Sequence, residues 1–283
     1  WDKWGAATGR AGQNEAIETM VQLFNEGQTE IEVEYHCATP EKFIVASAGG
    51  VEPDIFGTWN HRTAQYAEQE LAMPLDELIE RVKLPTRKII NDYLEMGRYK
   101  GQIYTLPALP SIITFVWNKT VFNEAGIDAS NQPKTWADLE NIERKITKYA
   151  AGGDIVQMGF SPHYRFGGGG YFWAWLAGGR LHDSQTLDIT PTDDRVIRAY
   201  ELVQEFERRQ GTGACAAFRN AAGDHRQAFN SGALAMNIVG SWEAGLIHQA
   251  GVDVDYGVGH VPSADGAEPF IMIESDSWMI SSG

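Results

Sequence analysis

Cysteine is scarce in this sequence, and positive charge is outnumbered by negative charge. The 283 residues include two cysteines, Cys37 and Cys215, which are too few for a disulfide framework, so we expect both to be free thiols. Lysine and arginine total 23 against 38 aspartates and glutamates, a formal net charge of -15 at pH 7. This balance argues against a nucleic-acid-binding surface and disfavours a highly anionic ligand.

Long apolar runs and familiar catalytic signatures are also missing. No apolar run approaches the roughly 20 residues of a membrane span, so the sequence predicts no membrane-spanning helix. It contains no G-x-S-x-G, Walker A, H-E-x-x-H or C-x-x-C motif, and its seven histidines include no pair at metal-ligand spacing on a helix. We therefore predict neither cofactor nor metal. The carboxylates are too numerous for the sequence to single out a glycosidase pair.

Short β-like runs alternate with helical ones in the first part of the chain. Glu30–His36 alternates apolar residues with glutamates, which predicts a half-exposed strand. Pro40 opens a short helix that ends at Gly49. Pro53–Phe56 is typical of a buried strand and runs into a polar, aromatic loop, Gly57–Arg62. This alternation predicts an α/β fold with a mainly parallel sheet.

Proline-marked segments divide the chain. Pro107 and Pro110 stand three apart in an extended stretch, which disfavours helix and suits a linker, and Pro262 follows a β-like run. A length of 283 residues suggests about two domains. We predict a first lobe of residues 1–109, to which residues 262–283 return, and a second lobe of residues 110–261.

Downstream of the first linker, the sequence shows one strong helix start, an aromatic run and two less regular segments. Thr135 is a good N-cap, and Asp138 occupies the capping-box position. The aromatic run 171–176 predicts a helix with Phe172 and Trp175 on one side. The Gly/Ala-rich segment around Cys215 gives no clear pattern, and residues 274–278 are typical of a polar, aromatic loop.

The stretch Ala228–Gly245 has the clearest organisation. Ser231-Gly232 ends a helix, Ala233–Val239 is typical of a buried strand, and Gly240-Ser241-Trp242 turns the chain sharply. An indole at the carboxyl end of a strand lies where open α/β sheets bind ligands, and its flat face suits the CH face of a sugar ring. Taken alone, the stretch favours the alternative that Trp242 is a core residue.

Short motifs in a fixed order carry a resemblance to a known family. They are ASAGG (46–50) with PDI (53–55), GxxYxLP (101–107), WNKxxFxxAGI (117–127), PxTWxDL (133–139) and FxxGxxAMxxxGxW (229–242). Together they resemble the extracellular sugar-binding proteins of ABC importers, the group that includes the maltose- and trehalose-binding proteins. The resemblance covers nearly the whole chain.

This resemblance implies a fold, a function and a location. The fold is α/β, a two-lobed type II periplasmic-binding-protein-like fold with a ligand cleft between the lobes and hinge closure on the ligand. The function is non-catalytic: a monomeric receptor captures a neutral mono- or oligosaccharide and delivers it to the transmembrane subunits of the importer. The location is extracellular or periplasmic, as a lipoprotein or a secreted protein. Family members usually continue beyond Gly283, so the chain is expected to be truncated at its C-terminus.

Matching the motifs residue by residue also implies a ligand site. Its contacts are Lys3, Trp4, Trp59, Asn60, His61, Arg62, Ser111, Tyr171, Phe172, Trp173, Trp242, Glu274, Asp276 and Trp278. Trp242 matches the stacking tryptophan of the family, and Arg62 matches a polar cleft arginine. His61 replaces an aspartate of the maltose binders, and Ser111 stands where they often have a carboxylate. We expect Trp136 and Trp175 to be core residues instead.

Two alternatives stay open. One keeps the fold but binds glycerol-3-phosphate or another polyol phosphate, which needs convergent basic groups; Lys3 and Arg62 are the candidates. The other is a carbohydrate hydrolase that uses a pair of carboxylates. No nucleic acid is expected as a partner.

Overall fold

Helices and short strands alternate in the computed structural model, which describes residues 1–3, 11–164, 170–181, 183, 188–264 and 271–283. The first elements are α1 (Ala11–Gly27), α2 (Pro40–Ala48), β1 (Ile55–Trp59), α3 (Thr63–Glu68), α4 (Asp76–Val82), α5 (Asn91–Glu95), β2 (Arg98–Tyr99), β3 (Gln102–Ile103), β4 (Leu106–Asn118) and α6 (Lys119–Glu124). Then follow α7 (Trp136–Ile146), β5 (Lys148–Tyr149), β6 (Ile155–Phe160), α8 (Gly170–Leu176), α9 (Asp194–Gln210), α10 (Thr212–Ala222), α11 (His225–Asn230), β7 (Leu234–Gly240), α12 (Glu243–Gln249), β8 (Tyr256–Gly259) and β9 (Ile273–Ile280).

The chain divides into two compact units. Unit 1 is Trp1–Pro110 with Ile273–Gly283, and unit 2 is Ser111–Met272. Residues 262–272, which the sequence assigns to the first lobe, therefore fall in unit 2. The reason is local hydrogen bonding: the Ser263 N–H donates to the Lys134 carbonyl at 3.1 Å, and the Trp136 N–H donates to the Ser263 carbonyl at 3.0 Å.

Unit 1 contains the antiparallel pair β1–β9, in which Ile55 lies opposite Ile280 and Trp59 opposite Asp276. Asp2 adds isolated parallel bridges to Gly57 and to Cys37. A small aromatic core packs under β1. Phe43 stacks on Phe56 with ring centroids 4.3 Å apart, and Tyr66 meets Phe43 edge-on at 5.6 Å.

Three sequence predictions in this part of the chain are wrong. Glu30–His36 is not a strand, because the N–H and C=O of Val33 bond the side chain of Asn25 rather than a neighbouring strand. The predicted loop 274–278 lies within β9, where Ser275 and Ser277 face the buried side. The described strand pairs are mostly antiparallel, and β6–β7 is parallel. The alternation of helices and strands predicts the order of these elements along the chain. It does not predict whether paired strands run parallel or antiparallel when the chain crosses twice between units.

Unit 2 is organised around β4, which pairs antiparallel with β7 and with β8. Every residue of β7 is buried, as predicted for this apolar run. The predicted capping box is confirmed at the start of α7. The Thr135 hydroxyl accepts a hydrogen bond from the Asp138 N–H at 3.1 Å, and the Asp138 carboxylate accepts one from the Thr135 N–H. The segment around Cys215 forms α10. Both cysteines are free thiols, as predicted, and burial raises the pKa of Cys215 to about 11.

A buried carboxylate joins two helices of unit 2. Glu143 on α7 is 1% exposed. Its carboxylate accepts from Arg209 Nη2 at 2.7 Å, from Gln210 Nε2 at 2.8 Å and from the Thr147 hydroxyl at 2.7 Å. A buried charge is tolerated only when its partners are complete. This network therefore holds α9 against the end of α7.

We expect Glu143→Ala to destabilise the chain by about 3 kcal/mol, because it leaves Gln210 and the Arg209 guanidinium without their buried acceptor. Glu140→Ala is the matched control on the same helix. Glu140 also bonds Arg209, but its side chain is 31% exposed, so we expect a loss below about 1 kcal/mol. Urea unfolding of the two variants measures both values, and equal losses would contradict the assignment of Glu143.

Candidate functional site

Lys3 connects three segments of unit 1 through a hydrogen bond and a salt bridge. Its ammonium group donates to the Thr58 carbonyl at 2.9 Å and forms a 3.1 Å salt bridge with Asp276 Oδ1. The Lys3 side chain is 2% exposed and that of Asp276 is 17% exposed. Because a buried ammonium group is costly without partners, these contacts fix the amino-terminal residues, the end of β1 and β9 against one another.

Two positively charged side chains lie close to Trp59, the last residue of β1. Lys3 Nζ lies 5.1 Å from the indole centroid and the Arg62 guanidinium carbon lies 5.7 Å from it, both within cation–π range. The His61 imidazole stacks on the indole, with centroids 5.8 Å apart and an interplanar angle of 12°. A single 3₁₀ turn, Asn60–Arg62, follows β1 and brings these side chains back to Trp59.

The charges around Trp59 act on His61. Its pKa is lowered, first by loss of hydration and then by the positive charges of Arg62 and Lys3, whereas Asp276 acts in the opposite direction. The neutral imidazole is therefore favoured at neutral pH, and it can both donate and accept a hydrogen bond. The Nε of Arg62 is buried and has no hydrogen-bond acceptor among the described residues.

Asn60 has a mainly positioning role in this arrangement. Its Oδ1 accepts from the Ser275 N–H at 3.1 Å, and its Nδ2 donates to Met96 Sδ at 3.4 Å. These bonds link the 3₁₀ turn to β9 and to the residue that follows α5. The amide of Asn60 therefore contributes to the site chiefly by holding the turn in place.

Strand β9 presents its predicted site residues on one face, because side chains alternate along a strand. Glu274, Asp276 and Trp278 share that face, while Ser275, Ser277 and Met279 are buried on the other. Trp278 is 40% exposed, and its indole N–H donates to Asp2 Oδ2 at 3.2 Å. The Asp2 carboxylate lies directly over Gly57, where a Cβ would be 2.0 Å from Oδ2, so a side chain at position 57 would displace this carboxylate.

Trp242 in unit 2 folds back over the end of β7. A Cβ at Gly240 would lie 2.2 Å from the indole, so only glycine allows the ring to occupy this position. The Ser241 N–H donates to the Ile112 carbonyl at 2.9 Å and fixes the turn. The indole is partly buried against the main core of unit 2. Trp242 thus packs on the core with one part of its ring and leaves another part accessible.

Helix α8 divides its aromatic residues between core and surface. Phe172 and Trp173 are 0% and 1% exposed, and the Trp173 indole donates to the Pro162 carbonyl at 3.4 Å. Because these side chains have no accessible surface, we leave both out of the contacts that we propose. Tyr171 and Trp175 are 41% and 36% exposed, with ring centroids 5.1 Å apart. The prediction that Trp175 is a core residue beside Phe172 is therefore wrong, because its i, i+4 spacing from Tyr171 places it on the exposed side of the helix.

The remaining predicted residues are less informative. Ser111 is the first residue of unit 2 and is half-buried in β4. Trp136 is a core residue, as expected, and its indole donates to the Pro262 carbonyl at 3.0 Å. Trp4 lies outside the described residues. Within the part of the chain that the structure describes, no cluster of histidine, cysteine or carboxylate side chains suits a metal ion, and no helix has the length and apolarity to cross a bilayer.

Comparison with known proteins shows which family the chain belongs to. Residues 9–283 match the family described as bacterial extracellular solute-binding protein. The chain belongs to this family. Solute-binding proteins of this kind are binding rather than catalytic proteins, and the mixed α/β architecture agrees with the type II periplasmic-binding-protein fold that the sequence predicts.

Relatives of the family include proteins for two kinds of ligand. The structure of CpMnBP1 with mannotriose bound is 25% identical, with a TM-score of 0.87, and the match covers 99% of this chain and 72% of that one. MalE of Bdellovibrio bacteriovorus bound to maltotriose is 15% identical, with a TM-score of 0.72 and coverage of 99% and 70%. The sn-glycerol-3-phosphate-binding protein UgpB of Agrobacterium fabrum is 24% identical over 94% of this chain. The chain spans 62% of the length of that relative.

The electrostatics at Trp59 predict how His61 titrates. By NMR, we expect a His61 midpoint below 6.5 that moves upward in Arg62→Gln, because that change removes a positive charge beside the imidazole. Arg81→Gln removes the same charge from α4 and should leave the midpoint unchanged. Since the folded pKa is the lower one, the folded chain binds fewer protons, and stability is lost as the pH falls below about 6.5. A midpoint above 6.5 would contradict this environment.

Proposed function

We propose that this chain is the ligand-binding part of an extracellular receptor that captures a neutral mono- or oligosaccharide and delivers it to the membrane subunits of an ABC importer. The observation that carries the proposal is the group of side chains at the end of β1. Trp59 and His61 supply aromatic surface there, and Arg62 and Asp276 supply charged hydrogen-bonding groups. Sugar rings need both kinds of contact.

Charge balance supports a neutral ligand. The ammonium of Lys3 is already matched by Asp276 at 3.1 Å, so the pair adds no net charge beside Trp59. Lys3 also gives up a donor to the Thr58 carbonyl. The oligosaccharides bound to CpMnBP1 and to the Bdellovibrio MalE are in keeping with this class of ligand.

A polyol phosphate is the second candidate, and Arg62 is the observation that favours it. Its buried Nε has no acceptor among the described residues, and a guanidinium group suits a phosphate oxygen. The Agrobacterium UgpB relative is named for sn-glycerol-3-phosphate. One such arginine is a weaker basis than the full set of aromatic and polar groups, so we rank this ligand second.

We propose no catalytic role, and we place the receptor outside the cytoplasmic membrane, either secreted or anchored as a lipoprotein. We further propose that the receptor acts as a monomer. A carbohydrate hydrolase would turn over its ligand, whereas a receptor returns it unchanged.

Thermal-shift assays with mannobiose, mannotriose, maltotriose and sn-glycerol-3-phosphate test the ligand class. An oligosaccharide at 100 times its dissociation constant should add about 2.7 kcal/mol of stability. Arg62→Gln should weaken phosphate binding more than sugar binding, because it removes a charge. Stabilisation by sn-glycerol-3-phosphate alone would favour the second candidate, and sugar fragments in the incubation would contradict the receptor.

Trp242→Ala tests the proposed stacking residue of unit 2. We expect it to abolish most oligosaccharide binding while the far-UV circular dichroism spectrum and cooperative unfolding persist. Trp136→Ala is the matched core control, and it should cost about 3–5 kcal/mol because a fully packed indole is lost. If Trp242→Ala destabilises the chain as much as Trp136→Ala does, then Trp242 is primarily a core residue.

A further inference from the structure

The segment that leads from the end of α4 to α5 is basic in an otherwise acidic chain. Residues 81–90, here called the basic segment, read RVKLPTRKII. They include four of the 23 lysines and arginines and no aspartate or glutamate, although the chain has a formal net charge of -15. Glu80 and Asp92 flank the segment without interrupting it. Unit 1 therefore carries a local positive patch.

Backbone hydrogen bonds hold the basic segment in place. Helix α4 ends at Val82, and Lys83 adopts the left-handed conformation with a φ of 52°. The Leu84 N–H donates to the Ile79 carbonyl at 3.0 Å, and a 3₁₀ turn, Thr86–Lys88, follows. The segment thus presents its side chains from an ordered backbone.

These side chains divide between the core of unit 1 and the surface. Ile89 packs against a buried cluster that includes Leu75 and Leu94. Val82 and Ile90, by contrast, are 65% and 68% exposed. The basic side chains are exposed as well: Arg81, Lys83, Arg87 and Lys88. The exposed part of the segment therefore combines aliphatic groups with four positive charges.

None of these four cations has a carboxylate partner among the residues that the structure describes. The ion pairs nearby use other cations: Arg98 contacts Asp76 and Glu95, and Lys100 contacts Glu68. Exposed charges are screened beyond about 8 Å at physiological ionic strength. The local positive charge, rather than the negative net charge of the chain, therefore governs a contact at this surface.

The size and composition of the basic segment favour a lipid surface over a protein partner. A stable protein–protein interface has about 20–30 residues on each side and is enriched in aromatic side chains. The basic segment has ten residues and no aromatic one. Basic residues interspersed with aliphatic ones suit anionic lipids, because the cations meet headgroup phosphates while the aliphatic groups enter the interface.

We propose that the basic segment docks unit 1 on a bilayer surface that carries anionic phospholipid. The four cations face the headgroup phosphates, and Val82 and Ile90 enter the boundary between headgroups and acyl chains. The contact is peripheral and reversible, since two aliphatic side chains bury little apolar area. It is independent of the captured ligand, because it uses none of the side chains grouped at Trp59.

Co-sedimentation of the 283-residue chain with vesicles tests this contact. Vesicles of phosphatidylcholine that contain phosphatidylglycerol should bind the chain at least about tenfold more tightly than vesicles of phosphatidylcholine alone. Added salt should weaken the binding, because it shortens the range of the charges. Lys83→Gln combined with Lys88→Gln should weaken it at least about tenfold, since each basic residue near an anionic surface contributes about fivefold.

Lys145→Gln combined with Lys148→Gln is the matched control. It removes the same two charges from exposed positions of unit 2, so the net charge changes equally and vesicle binding should persist. Ile90→Ser tests the aliphatic contact. Ile90 is the N-cap of α5, where serine is a preferred residue, so the fold should persist while vesicle binding falls severalfold.

NMR with a spin-labelled lipid shows where the chain touches the bilayer. In bicelles that contain phosphatidylglycerol, the methyl signals of Val82 and Ile90 should broaden more than those of Val156 and Val258, which are 57% and 54% exposed in unit 2. Equal broadening in both units would overturn the proposal.

Three vesicle results would also overturn it. They are no binding to the anionic vesicles, equal binding to both kinds of vesicle, and a loss in the control pair as large as that in the Lys83 and Lys88 pair. Soluble polyglutamate is the remaining probe. If it binds through the basic segment while the vesicles do not, the partner is an acidic protein rather than a lipid surface.

Discussion

The buried ammonium of Lys3 is the contact on which the arrangement at Trp59 depends. It holds the Thr58 carbonyl and the Asp276 carboxylate at hydrogen-bond distance, so three segments far apart in the sequence meet at one point. The same charge lies near the indole of Trp59 and contributes to the lowered pKa of His61. Removing either member of such a pair leaves the other charge buried and unpaired. Structure and ligand chemistry are therefore coupled at this residue.

Much of the fold could be predicted from local sequence. The capping box at Thr135, the buried strand β7 and the turn at Gly240 follow from short-range rules, and the structure confirms them. Strand direction could not be predicted, because it depends on which segments meet after the chain crosses between units. The segment Glu30–His36 shows the limit clearly: its alternation is that of a strand, but a strand also needs a neighbour along its length, and sequence does not supply one.

The candidate site was only partly accessible to the same reasoning. The family motifs led to Trp59, Arg62 and Asp276, yet nothing local indicated that Lys3 pairs with Asp276. Phe172 and Trp173 are buried, since an aromatic run at helical spacing places some of its members in the core by geometry alone. The separation of Tyr171 and Trp175 from these residues depends on which side of the helix faces the core, and the sequence of the aromatic run alone does not specify that side.

The contact between Gly240 and Trp242 has a consequence for how this turn can change over evolutionary time. The indole occupies the space that any side chain at position 240 would need. A side chain at 240 therefore requires the indole to move, and it fits without such a shift only where residue 242 is small. Such order-dependent coupling makes the two positions behave as a single inherited character. Retaining the indole in its present position thus favours glycine at 240, whereas loss of the indole removes this steric constraint.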